Sequence, residues 1–243
     1  LNVNSKQQTG IRELMHQYSA QEAATLDHIV RERHSVRGFL PQKIPNELMQ
    51  KVFETARWSP SGTNVQPWQT CVASGETRDR IRAELLVRVA NKVSTNPDHP
   101  GDGKIGDVWR ERKRACARAL YGAMVIEWED RAGRGTAAMR NHELFDAPHV
   151  AFLCIDDVFG KHTVADVGMY AQTLMLAMSV NGIASCAQGS LRDYPDLVRE
   201  TFGLAPQVKV LFGISFGFED PNVRANQART ERAPVSETVQ FLD

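Results

Sequence analysis

Apolar positions recur at two different periods along the chain. Leu48, Val52, Phe53 and Ala56 fall at i, i+4, i+5 and i+8, which is one stripe of a helix beginning near Pro45 and Asn46. Val167, Ala171, Leu174 and Met178 make a second stripe within residues 164–181. That segment is apolar round much of its circumference, which predicts a helix at the centre of the fold, stopped by Gly182. Further helices are expected over 26–33, 76–92, 107–130 and 194–202, with the glycine-containing stretch 133–136 breaking the long one. Six consecutive apolar residues, 150–155, read as a buried strand, and 69–73, 183–186 and 208–216 read as three more. The order of helices and strands predicts an α+β fold with a central sheet surrounded by helices. Residues 1–25 read as a polar arm and 26–243 as one domain without a linker.

Charge removes several function classes. Lys+Arg and Asp+Glu are both 29, so the chain lacks the basic excess of a nucleic-acid-binding or membrane-surface module. The densest basic run, 110–118, is interrupted by Glu111 and reads as a solvated helix face. Cys71, Cys116, Cys154 and Cys186 show no CxxC spacing. Residues 2–10 are polar, unlike a secretory leader, and no run approaches 18 apolar residues. A reducing cytoplasm is the expected setting. The first residue is Leu1, so the natural start is expected upstream.

Two motifs fail on context. Gly101, Gly103 and Gly106 spell GxGxxG, but residues 94–100 hold two prolines and cannot be the strand a dinucleotide turn requires. His142, Glu143 and Asp146 resemble a zinc-helix motif, yet Pro148 ends any helix there, so no metal site is expected.

Two polar loops carry more. Arg33, His34, Ser35 and Arg37 place two guanidiniums, an imidazole and a hydroxyl within five residues, which suits a phosphate or polyol and equally a solvated turn. Pro60, Ser61, Gly62, Asn64 and Gln66, followed by Pro67 and Trp68, put amides and hydroxyls on a turn that suits a heteroaromatic edge or an ordinary loop.

Taken together, at this spacing, these loops resemble those of the nitroreductase family of FMN-dependent oxidoreductases. Further segments agree: Arg140-Asn141 leading through 142–148 to a core strand, Cys186-Ala187-Gln188-Gly189 where relatives line the flavin ring, and Arg229 with Arg232 as a C-terminal phosphate-binding motif. The resemblance implies a mixed or antiparallel sheet and a homodimer with exchanged terminal segments. It implies bound FMN held by Arg33, His34, Ser35 and Arg37, by Pro60, Ser61, Gly62, Asn64 and Gln66, by Arg140 and Asn141, by Cys186, Ala187, Gln188 and Gly189, and by Arg229 and Arg232, with NADH or NADPH as reductant. A small electron-poor aromatic, such as a nitroarene, would be the acceptor in a ping-pong hydride mechanism. No side chain is expected to be catalytic in its own right, Gln188 lying near flavin N5. The chain departs from the family pattern at Gln188, where some members have Glu, at His142, where an aromatic is expected, and over 93–136, a longer segment expected to form a lid. A reductive dehalogenase or flavin-cleaving enzyme of the same fold, or a flavin-binding protein without catalysis, are the alternatives.

Overall fold

The computed structural model describes residues 18–242, in two units, Leu1–Arg33 and His34–Asp243. The expected arm lies outside the described residues as far as residue 17. Beyond it the chain is already helical in α1 (Ala20–Glu32), which starts six residues before the expected position. The cause is a capping box: Glu22 N–H donates to Ser19 Oγ, and the Glu22 carboxylate accepts from Ser19 N–H at 2.7 Å.

The second unit is built on a four-stranded sheet. Its strands are β1 (Trp68–Ser74), β2 (His149–Asp156), β3 (Ala184–Gln188) and β4 (Val208–Gly217), in the spatial order β1-β2-β4-β3. Every neighbouring pair is antiparallel, with a register shift between Leu153 and Cys154 on β2. The remaining helices are α2 (Asn46–Ala56), α3 (Gly75–Ala90), α4 (Asp107–Ala123), α5 (Arg131–Met139), α6 (Val164–Val180), α7 (Pro195–Phe202) and the short α8 (Val235–Thr238).

Both faces of the sheet are covered, which explains the unbroken apolar run of β2. Ala151, Leu153 and Ile155 meet Val167, Leu174 and Met178 of α6 and Val52 of α2. Val150, Phe152 and Cys154 point the other way, to Ile81 and Leu85 of α3 and Val198 of α7. Burial at roughly 25 cal/mol per Å² of apolar surface makes these two layers the main stabilising element. His149 ties the sheet to the loop before α2. Its Nε2 accepts from Ile44 N–H at 2.9 Å, so Nδ1 carries the proton and donates to Ser74 Oγ. Burial pushes its pKa down to about 4, with Lys43 and Arg78 adding to the shift.

The expected long helix divides differently. α4 stops at Ala123, and Val125 then takes a left-handed φ of 57°. Gly133, Gly135 and Thr136 do not break a helix; they lie inside α5. Asp130 caps α5 by accepting from Gly133 N–H at 2.8 Å, and a Cβ at Gly133 would collide with that carboxylate. The glycine permits the cap. On α4 the basic run is solvated and paired, Arg110 with Asp107, Arg118 with Glu111, and Arg112 with Glu237 of α8 at 2.8 Å.

Candidate functional site

Residues 34–36 meet the outer edge of β3, and Phe39 pairs with Glu219 just beyond β4. Ser35 forms a parallel bridge with Ser185, and Val36 N–H donates to the Ser185 carbonyl at 3.1 Å. The other side of this loop is held by Asn226, which is 3% exposed. Its Oδ1 accepts from Arg37 N–H at 2.6 Å, and its Nδ2 donates to the carbonyls of Gly38 and Asp220, both at 2.9 Å. Glycine is needed at 38 because a Cβ would overlap the Val223 side chain. Anchored this way, Arg37 holds its guanidinium half-buried, with Nη1 donating to the Ser35 carbonyl at 3.2 Å. His34 faces the Glu219 carboxylate at 3.5 Å. Arg33 is the C-cap of α1 and closes the first unit.

At the end of β3 the residues divide by direction. Cys186 and Gln188 are buried, while Ala187 and Gly189 are exposed. The Gln188 carboxamide turns inward. Its Nε2 donates to Asn141 O at 2.9 Å and reaches Asn141 Oδ1 at 3.3 Å, while Oε1 accepts from Ser215 Oγ. The side chain therefore holds the Asn141 turn rather than offering its amide along the strand edge. Ser185 O points outward to Val36, so the main-chain groups of Ala187 point outward as well. Among the described residues nothing pairs with Ala187 N–H, and a Cβ at Gly189 would meet no atom within 4 Å. The strand edge is open here, with the Ala187 N–H as its outward donor.

Arg140 is the C-cap of α5 and pairs with Glu143 and, at 2.7 Å, with Asp146. Burial opposes its charge, but the two carboxylates more than offset this and its pKa is raised. Arg82 joins them, reaching Glu143 O at 3.2 Å. Leu144, Phe145 and Asp146 all have left-handed φ, 57°, 53° and 63°. Each costs conformational energy for a non-glycine residue. The turn is held by Phe145 N–H donating to Arg140 O and by burial of Leu144 and Phe145. Burial lowers the pKa of His142 against the opposing pull of Asp193, and its Nδ1 has no hydrogen-bond partner among the described residues.

Arg37 and the Arg140–Phe145 turn border a half-open cavity of about 390 Å³. Arg37, Arg140, Asn141 and Arg224 supply its donors, Phe145 part of its wall, and Leu120, Met124 and Ile126 line it from α4 and the turn after it. The segment expected to act as a lid thus lines this space.

Two other groups of expected residues lie elsewhere. The loop holding Pro60, Ser61, Gly62, Asn64 and Gln66 lines none of the cavity. Ser61 Oγ accepts from Gln66 N–H at 2.9 Å, Gln66 Nε2 donates to Asn64 O at 3.1 Å, and Gly62 N–H reaches Asp166 of α6 at 3.1 Å. Thr63, Asn64 and Gln66 are left-handed. Arg229 and Arg232 border a wider groove of about 970 Å³, with Arg112 and Cys116 of α4 on its other side. Their guanidiniums donate to backbone carbonyls, Arg229 to Asn226 O at 2.7 Å and Arg232 to Thr230 O at 3.0 Å. Asn226 and Arg224 were not legible in the sequence, since nothing local marks a residue such as Asn226, whose partner is 189 positions away.

Among the described residues no group of three or more His, Cys, Asp or Glu is placed to hold a metal ion. No described helix is long and apolar enough to cross a membrane.

Comparison with known proteins adds the lineage. The nitroreductase family profile matches residues 30–218. Nitroreductase NfnB of Mycolicibacterium smegmatis is 39% identical over 223 residues, covering 90% of this chain and 93% of that protein. A 4-nitrobenzoate reductase of Pseudomonas putida is 31% identical over 216 residues, 89% of this chain and 95% of the relative. The crystal structure of the FMN-dependent nitroreductase NfnB from Mycobacterium smegmatis in complex with NADPH superposes with a TM-score of 0.86 at 37% identity, covering 91% of this chain and 99% of that one. On a match that spans the sheet, the Arg37 loop and the α4 side of the cavity, the chain belongs to the nitroreductase family.

Proposed function

We propose that the protein is an FMN-dependent NAD(P)H oxidoreductase that reduces nitroaromatic acceptors, working as a homodimer in a reducing cytoplasm. The observation that carries this reading is the open strand edge at Ala187 and Gly189 beside a cavity with apolar walls and, among the described residues, no acidic lining, in a chain so close to an FMN-dependent relative.

The residues fit FMN. A flavin has a flat ring with a hydrogen-bonding edge and a dianionic phosphate. The N–H groups of Ala187 and Gly189 suit the ring edge. Arg37 suits negative charge on the ring, because a half-buried guanidinium interacts more strongly than one in bulk water. Arg229 and Arg232 suit the phosphate, their guanidiniums donating to neutral carbonyls and, for Arg232, to the Thr230 hydroxyl. The chemistry FMN supplies when bound is acceptance of a hydride from NAD(P)H and return of reducing equivalents to the acceptor. The protein binds, orients and desolvates. Leu120, Met124 and Phe145 exclude water, and Gln188 holds Asn141 in the wall. In the proposed dimer the loop of Pro60, Ser61, Gly62, Asn64 and Gln66 from one protomer completes the site of its partner. One cavity serves reductant and acceptor in turn, so double-reciprocal plots are parallel.

The test is optical. The purified protein should show flavin absorbance that bleaches with anaerobic NADPH and returns on adding a nitroarene. A protein that takes up no FMN, or whose bound flavin NADPH does not bleach, would sink the reading. A sedimenting monomer that keeps FMN would refute the dimer.

A further inference from the structure

We infer that the acceptor is an aromatic acid and that Arg224 selects it by its carboxylate; this rests on the flavin reading above and assigns a substrate class to the same cavity. A volume of about 390 Å³ lies at the small-molecule end of binding sites. The wall of Leu120, Met124, Ile126 and Phe145 suits a flat aromatic body. Among the described residues the charged groups that line it are guanidiniums, Arg37, Arg140 and Arg224, with no aspartate or glutamate beside them. The space is therefore complementary to a ring bearing negative charge.

The three arginines are not equivalent. Arg140 is already neutralised by Glu143 and Asp146. Arg37 is tied through its main chain to Asn226 and through Nη1 to Ser35 O, on the loop that follows the β3 edge. Arg224 is exposed at the cavity rim and meets no carboxylate among the described residues; nearby Asp220 accepts from Asn222 instead. Its side chain is uncommitted but its backbone is not. Arg224 opens the 3₁₀ turn Arg224–Gln227, whose next two residues, Ala225 and Asn226, are 5% and 3% exposed. A guanidinium on an anchored turn, beside an apolar wall, binds a carboxylate through two parallel N–H donors at low ordering cost. The same positive rim would suit a phosphate of NADPH or of FMN, so the experiment must separate the three anions.

The experiment uses the FMN-loaded protein with 4-nitrobenzoate and 4-nitrobenzamide, which share shape and differ in charge. Wild type should favour the acid in kcat/KM by about tenfold or more, and Arg224→Gln should reduce that ratio about tenfold. Arg224→Lys, which keeps the charge, should restore the larger part. Calorimetric titration with benzoate and benzamide should give the same ordering without turnover. A ratio near one in the wild type, or a preference that survives Arg224→Gln, overturns the inference. So does a rise in the KM of NADPH or the Kd of FMN in Arg224→Gln with the ratio unchanged, which would assign the residue to the nucleotide. In each of these outcomes NADPH still bleaches the flavin; loss of bleaching in the wild type would instead mark failure of the flavin reading itself.

Discussion

The loop from His34 to Phe39 and the loop from Pro60 to Gln66 are similarly rich in polar side chains and use them in opposite ways. The first is sewn to distant chain: Asn226 holds it on one side and Ser185 on the other, and the Gln188–Asn141 pair braces the wall behind it. The second satisfies itself mainly over a few residues, Ser61 with Gln66 and Gln66 with Asn64, with one tie to Asp166. Its left-handed residues sit in the open. A buried polar group without a partner carries a full desolvation penalty, so the first loop is specified by the fold around it. An exposed turn has water as its alternative, so the second is specified by its own residues and left free to meet another molecule.

The largest test of that contrast is Asn226→Ala. It leaves Arg37 N–H and the carbonyls of Gly38 and Asp220 unpaired in the interior, and should destabilise the fold by about 3–5 kcal/mol in urea denaturation. A change under 1 kcal/mol would mean that water replaces the amide and that the loop is not held by burial.

His149 is a second buried knot, joining Ile44 to Ser74, and it makes the contrast titratable. Its folded pKa of about 4 lies below the ordinary value of 6.5. The unfolded chain therefore takes up the proton first as the pH falls. The stability it contributes is present above about pH 6.5 and is lost progressively toward pH 4, on the order of 3 kcal/mol in all. His149→Gln should flatten that part of the stability curve, and an unchanged slope would place the titration on another group.

For the outward-facing polar residues the effect should appear in binding. Arg232→Ala should weaken FMN by about 1.5–3 kcal/mol while barely changing riboflavin, which lacks the phosphate. Equal weakening of both flavins, measured by fluorescence titration, would move the phosphate away from the C-terminal groove. The smallest effect belongs to the self-contained loop. Thr63→Gly should stabilise the fold by about 1 kcal/mol, because a β-branched residue at φ 50° is strained and exposed. Destabilisation instead would show that its hydroxyl, which donates to Gly62 O at 2.8 Å, does more than close the turn.

Elements whose role depends on their own residues were legible before the fold was known. The apolar run of β2 identified the central strand to within one residue, and the stripe of α6 identified the helix packed against it. The two polar loops stood out by density. The misread elements share a cause, which is that a short-range partner reversed the usual meaning of a residue. Glycines at 133 and 135 ordinarily end a helix, but Asp130 caps one that contains them. Ser19 and Glu22 likewise begin α1 inside a stretch that reads as a polar arm.

By itself, then, the sequence determined the alternation of helix and strand, the two-sided burial of the sheet and the chemistry of the loops, because hydrophobic period and turn residues act locally. The tertiary structure decided which loop faces the cavity, that the Gln188 amide turns inward to Asn141 while Ala187 and Gly189 face out, and that Arg224 stands at the rim. Those outcomes depend on groups brought together from opposite ends of the chain, where burial makes each hydrogen bond obligatory and no local pattern records the partner.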